Sequence, residues 1–203
     1  GIWKSVYLLP VPAGSVALKQ LVLHTFYAGG HPTAILNDST HAGFEIRARV
    51  KVWASTSTTG QLCVTVTNVA GATANIKANV LPGTSNFTVT IPASATKGVR
   101  LWHPRGNGDQ ARYNVTATFT PEMPLSDVHD RASTKVPRAE TWRLLGFRHV
   151  ALVTINDTDT EAVAAAKNQD GTGQFGMFFR VNGAAVYARG GNKIPMDLLD
   201  GRL

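Results

Sequence analysis

The 203 residues carry 43% apolar, 16% charged and 8% aromatic side chains, enough for one domain of about 100–150 residues with further material attached. Lys and Arg number 20 against 13 Asp and Glu, a formal charge of +7; this permits contact with anions, yet the basic residues stand singly and build no nucleic-acid footprint. No run approaches the ~20 apolar residues that span a bilayer, the first residues lack the regions of a signal peptide, and the single cysteine, Cys63, excludes a disulfide within the chain.

In chain order, residues 2–9 read as a strand closed by "PVPAG", and "VALKQLVLHTFYA" (16–28) reads as a second. After a breaker-rich stretch, "FEIRARVKVWAS" (44–55) alternates Phe44, Ile46, Ala48, Val50 and Val52 with Glu45, Arg47, Arg49 and Lys51. Period two marks an antiparallel strand with one face in a core and the other in water. Further strands are expected at 61–69, 73–81, 86–92, 99–102 and 111–120, separated by Gly, Pro, Asn and Ser. That spacing fits a β-sandwich. The polar 121–140 reads as a surface connection, and "TWRLLGFRHVALVTI" (141–155) reads as the sandwich's last strand. The Ala-rich 160–167 is the one short helix expected, within a linker over 156–174. The chain closes on "FFRVNGAAVYARGGNKIPMDLLDGRL" (178–203), a hairpin with Asn182-Gly183 where a type I′ turn requires positive φ at both positions.

Two stretches invite functional reading. In "LWHPRGNGDQARYNV" (101–115), Pro104 and two glycines bend the chain while Trp102 and Tyr113 are suited to close one end of a core and bond the turn backbone. Aromatic-rich turns also stack on sugars, but closure is the better reading. The Gly-x-Gly there precedes a β-run, not a helix, so it is no phosphate cradle. In "RGGNKIPMD" (189–197), Asn192 and Asp197 offer groups able to hold hydroxyls, though an exposed turn accounts for the same residues.

Glycoside hydrolysis uses two carboxylates in one pocket, and no convincing pair is marked in this sequence. Six histidines, His24, His31, His41, His103, His129 and His149, show no compact metal-ligand spacing, and no Gly-x-Ser-x-Gly elbow occurs. Cys63 reads as a buried, inert thiol. No catalytic residue, metal or cofactor is assigned. Four triplets, at Asn37, Asn86, Asn114 and Asn156, fit the N-glycosylation acceptor pattern and point to a secreted or lysosomal setting.

Four separated stretches together resemble glycoside hydrolase family 2, in its β-mannosidase branch. "GIWKSVYL" is similar to the join between that family's jelly-roll domain and the next domain. "LWHPRGNGDQARYNV" is similar to its Trp-Pro-x-Gly-x-Gly-x-Gln segment, with His103 in place of a second Trp. "LLGFRHVALV" resembles the Gly-Phe-Arg strand of its immunoglobulin-like domain, and "FFRVNGAAVYARGGNKIPMD" the first strand and loop of its catalytic barrel. The resemblance implies an all-β chain: the end of a jelly-roll domain at 1–14, an immunoglobulin-like β-sandwich at 15–155, a linker at 156–174 and the start of a (β/α)8 barrel at 175–203. It implies a fragment that is inactive alone. Its partners are the remaining jelly-roll and barrel domains and, in the complete enzyme, a β-mannoside; neither nucleic acid nor membrane is expected.

By the same likeness Asp197 contacts hydroxyls of a terminal mannose and Asn192 shapes its loop, while Lys193 stands where the family usually carries Trp. The family's retaining glutamates lie outside these residues. Related parent activities are exo-β-glucosaminidase and β-galactosidase. A carbohydrate-binding module, suggested by Trp3, Trp53, Trp102 and Trp142, and a structural or interaction domain with an exposed sheet edge are the rival readings.

Overall fold

A computed structural model describes residue 6 and residues 8–11, 14–122, 138–161 and 177–192. Ten strands order the described chain. Strand β1 (Ala17–Tyr27) pairs with β2 (Phe44–Ala54), and β2 with β5 (Gly83–Ile91), giving a three-stranded antiparallel sheet. Strands β4 (Thr73–Val80), β3 (Thr58–Val66), β6 (Tyr113–Pro121) and β7 (Ala139–Leu145) form a four-stranded antiparallel sheet in that order. The chain crosses between the sheets after β2, after β4 and after β5. This is the arrangement of an immunoglobulin-like sandwich, with β4 pairing to β3 instead of to β5.

The alternation in β2 dictates the packing. Phe44, Ile46, Ala48, Val50 and Val52 are all at most 1% exposed, while Arg47, Arg49 and Lys51 face water. From the opposite sheet Leu62, Val64, Val115, Ala117 and Phe119 meet them, again essentially without exposure. Each large aliphatic or aromatic side chain so buried contributes about 1.5–3 kcal/mol, which makes the interlayer core the main source of stability.

Three expectations are corrected. The run 141–155 is not one strand: β7 ends at Leu145, and β8 (Val150–Val153) belongs to another sheet. Between them Phe147, fully buried, turns inward against Phe44 and Tyr113, at ring-centroid distances of 5.6 and 5.3 Å. Gly146 lets the chain pass Trp102 closely, since a Cβ there would lie 3.0 Å from the Trp102 Cβ and Cγ. Second, Val99 and Leu101 are buried but 99–102 forms no strand, only one bridge between Trp102 and Gln110.

The third correction concerns the ending. Strands β9 (Phe178–Val181) and β10 (Ala184–Val186) do form a hairpin, with Asn182 at φ +51° and Gly183 at φ +82°. They do not open a (β/α)8 barrel. Strand β9 pairs antiparallel with β8, giving a three-stranded antiparallel sheet β10-β9-β8, whereas a barrel of that kind begins with parallel strands joined through helices. No complete α-helix lies among the described residues; of the helix expected over 160–167, only Thr160 and Glu161 are described, and both are helical. Val6, Leu8 and Leu9 are exposed and outside any strand; the other residues of the first expected strand, and 123–137 of the surface connection, fall outside the described residues.

Candidate functional site

The richest polar geometry lies where the small third sheet meets the end of the sandwich. The Asn182-Gly183 turn is inserted there tip first. Asn182 is fully buried. Its main-chain N–H donates to the His149 carbonyl at 2.9 Å, its Oδ1 accepts from the His149 N–H at 2.9 Å, and its Nδ2 donates to the Trp102 carbonyl at 3.0 Å. Its own carbonyl accepts from Leu36 N–H at 2.9 Å. A Cβ on Gly183 would overlap the Ala34 carbonyl oxygen, so only glycine admits this approach.

Beside the turn, Arg180 donates to both oxygens of Asp157, at 2.5 Å from Nε and 2.8 Å from Nη2, and from Nη1 to the Gly183 carbonyl at 2.8 Å. Both side chains are nearly buried, 10% and 8% exposed. His31, partly exposed, approaches the same carboxylate at 2.9 Å through Nε2. The Arg180 hydrogen bonds, reinforced by His31, hold the Asp157 carboxyl at about 2 against the opposing pull of burial. Asp157 in turn raises Arg180. His149 packs edge-on against Tyr27 and His31, at centroid distances of 5.8 and 5.9 Å. Burial first, and His31 second, lower its pKa, and its Nδ1 is buried without a partner.

The 101–115 turn serves closure. Trp102 N–H donates to the Phe147 carbonyl at 2.8 Å, Tyr113 Oη accepts from Arg100 N–H at 2.8 Å, and Gly106 and Gly108 have positive φ. The Arg148 guanidinium covers the Trp102 ring at 4.6 Å, which leaves that indole face occupied.

The expected sugar-contacting residues are not brought together among the described residues. Asn192 is exposed, six residues beyond β10; Lys193 and Asp197 lie outside the described residues. The acceptor triplets differ sharply in setting. Asn37 is exposed in a turn, where its Oδ1 accepts from Ser39 N–H at 2.8 Å and Ser39 Oγ at 2.6 Å. Asn156 makes the same kind of turn with Thr158 but is half-buried. Asn86 is exposed on β5. Asn114 sits within β6, between β3 and β7, with its Oδ1 buried and unpartnered. Trp3 lies outside the described residues, Trp53 is half-buried and Trp142 is 56% exposed. Cys63 is half-buried on the outer face of β3, its Sγ among threonine hydroxyls, and not in the core as expected.

This geometry seats a hairpin on the end of the sandwich. Asp157 is shifted downward, opposite to what a general acid needs, and among the described residues no group of His, Cys, Asp and Glu could hold a metal ion. The sequence reading missed the trio of Arg180, Asp157 and His31, because "NDT" at 156–158 reads as linker. The one available signal was an arginine at the centre of an apolar strand, which requires a buried partner.

No protein-family model matches the chain. Over 120 residues it is 32% identical to a β-mannosidase A of Aspergillus clavatus, the match covering 54% of this chain and 11% of that protein. Over 122 residues it is 34% identical to a β-mannosidase A of Aspergillus aculeatus, covering 56% and 11%. The solved β-D-mannosidase of Dictyoglomus thermophilum matches 93% of this chain and 18% of its own, with a TM-score of 0.54 and 16% identity, a likeness of fold. The chain is thus distantly related to β-mannosidases and matches about a tenth of the length of these curated relatives.

Proposed function

We propose that this chain is a noncatalytic β-sandwich portion of a longer, secreted or lysosomal glycoside hydrolase of family 2, and that the longer enzyme is a β-mannosidase removing terminal β-D-mannose with retention. The observation that carries the reading is the 32–34% identity to β-mannosidase A sequences over 113–122 residues. The buried insertion of the Asn182-Gly183 turn supports a mechanical role: the sandwich fixes a hairpin whose far end leads to Asn192, Lys193 and Asp197, which we assign as substrate contacts of the complete enzyme. The two carboxylates of a retaining mechanism are contributed by other parts of that enzyme, and no Glu of this chain is given the task.

Hydrolysis of 4-nitrophenyl β-D-mannopyranoside by the complete polypeptide and by residues 1–203 tests the reading. Turnover is expected from the first and none from the second. Turnover of a β-galactoside or β-glucosaminide in place of the mannoside would reassign the parent activity, and turnover by residues 1–203 alone would overturn the noncatalytic role. A carbohydrate-binding module is the second reading, favoured by the exposed Trp142 beside a threonine-lined depression on the outer face of β3 and β6. Saturable quenching of tryptophan fluorescence by neutral mannosides would support it.

A further inference from the structure

The outer face of the sheet β1-β2-β5 carries a second feature unrelated to the hairpin joint. A depression of about 510 Å3 lies across the three strands, lined in part by Gln20, His24, Arg49, Lys51, Asn86 and Thr88. The strand register arranges them in rows. Lys51 lies between Gln20 and Asn86, and Arg49 between Val22 and Thr88. Arg47, next along the strand, is satisfied: Glu45 accepts from its Nε at 2.6 Å and its guanidinium covers Phe26 at 4.5 Å. Arg49 and Lys51 are exposed and meet no acceptor among the described residues. No carboxylate among the described residues lines the depression.

Two unpaired cations two residues apart on one strand stand about 7 Å from each other, where they repel. An anion bridging them removes that repulsion and gains charge-assisted hydrogen bonds. The neighbouring side-chain amides and hydroxyl of Gln20, Asn86 and Thr88 match the donors and acceptors of sugar hydroxyls. Nucleic acid is disfavoured because single-strand binding relies on open aromatic platforms for bases, whereas on this face Trp53 is half-buried and the Phe26 ring is covered by the Arg47 guanidinium.

We propose that this depression is a binding site for an acidic polysaccharide, whose carboxylate, sulfate or phosphate groups sit on Arg49 and Lys51 while its hydroxyls meet Gln20, Asn86 and Thr88. The proposal is independent of the β-mannosidase reading: it concerns the opposite sheet from Trp142 and requires no activity.

Isothermal titration of residues 1–203, produced in a host that leaves Asn86 unglycosylated, with dextran sulfate, polygalacturonate, neutral dextran and a 20-mer single-stranded DNA tests it. Binding of at least one acidic glycan, with none of dextran, is expected; which of the two binds assigns sulfate or carboxylate as the anion. The double variant Arg49→Gln/Lys51→Gln should weaken that binding at least about tenfold with an unchanged melting temperature. The control Lys97→Gln/Arg143→Gln, equal in charge change but elsewhere on the surface, should leave it within about twofold. Equal losses in the two double variants, no binding of either acidic glycan, or tighter binding of DNA than of both, would overturn the site.

Discussion

Asn182 and His149 are locked by a reciprocal pair of hydrogen bonds: His149 carbonyl accepts from the Asn182 main chain and His149 N–H donates to the Asn182 side chain, both at 2.9 Å. One residue thereby extends the β8–β9 ladder past its last strand pair and ties it to the Trp102 turn through Nδ2. Asn182→Ala leaves the His149 N–H and the Trp102 carbonyl without these partners and places alanine at φ +51°. The expected cost is about 2–4 kcal/mol in urea unfolding. A loss below about 0.5 kcal/mol would show that water replaces the side chain freely.

Gly183 tests the same joint sterically. Its φ of +82° and the Ala34 carbonyl oxygen in the path of any Cβ make Gly183→Ala unfavourable on two grounds. We expect a loss of at least about 2 kcal/mol. Amide exchange should also speed up at Leu36, whose N–H donates to Asn182, while the interior of β2 keeps its protection. Uniform acceleration through the sandwich would show that the hairpin is not a separable unit.

The elements most legible in the sequence were those whose cause is local. Alternation in β2 names five of its six buried side chains, and Asn-Gly names the turn at 182–183, because both depend on neighbours within a few residues. The joint was not legible for the opposite reason. Asn182 reaches Trp102 across 80 residues and His31 reaches Asp157 across 126, and no local period records such pairs. The continuous apolar run 141–155 hides a break at Gly146 and Phe147, since a residue turned into a core is as apolar as one in a strand. The reading of a barrel start failed at the same level: a strand such as β9 looks alike whether its neighbour is parallel or antiparallel, and only pairing with β8 decides.

Asp157→Ala removes the partner of a nearly buried Arg180. An uncompensated cation remains beside Gly183, and the expected destabilisation is about 3 kcal/mol. Asp157→Asn keeps a hydrogen-bond acceptor and should cost less than Asp157→Ala. If the two variants unfold at the same urea concentration, the pair contributes through shape and not through charge.

In the complete enzyme, Asp197→Ala is expected to lower kcat/KM for a β-mannoside by removing an acceptor for a bound hydroxyl, with a much smaller loss on a substrate lacking that hydroxyl. Equal losses on both substrates, or none on the first, would remove Asp197 from the recognition role assigned to it.

The joint should also weaken in acid, through two groups acting in separate windows. Both have folded pKa values below their unfolded ones, Asp157 at about 2 and His149 lowered by burial and by His31. For each, the unfolded chain binds more protons as pH falls, so stability declines with acidification. His149 acts first: its contribution is complete above about 6.5, its unfolded value, and fades below it. Asp157 acts later, complete above about 4 and lost as pH approaches its folded value near 2. His149→Gln removes the first titration while leaving the main-chain bonds to Asn182 in place. Melting temperatures of the two proteins should therefore run at a constant offset from pH 8 to 7 and converge as pH falls below about 6.5, with both falling together below about pH 4. Parallel curves below about pH 6.5 would show that His149 takes up its proton alike in the folded and unfolded chain, and would remove it as the acid-sensitive element of the joint.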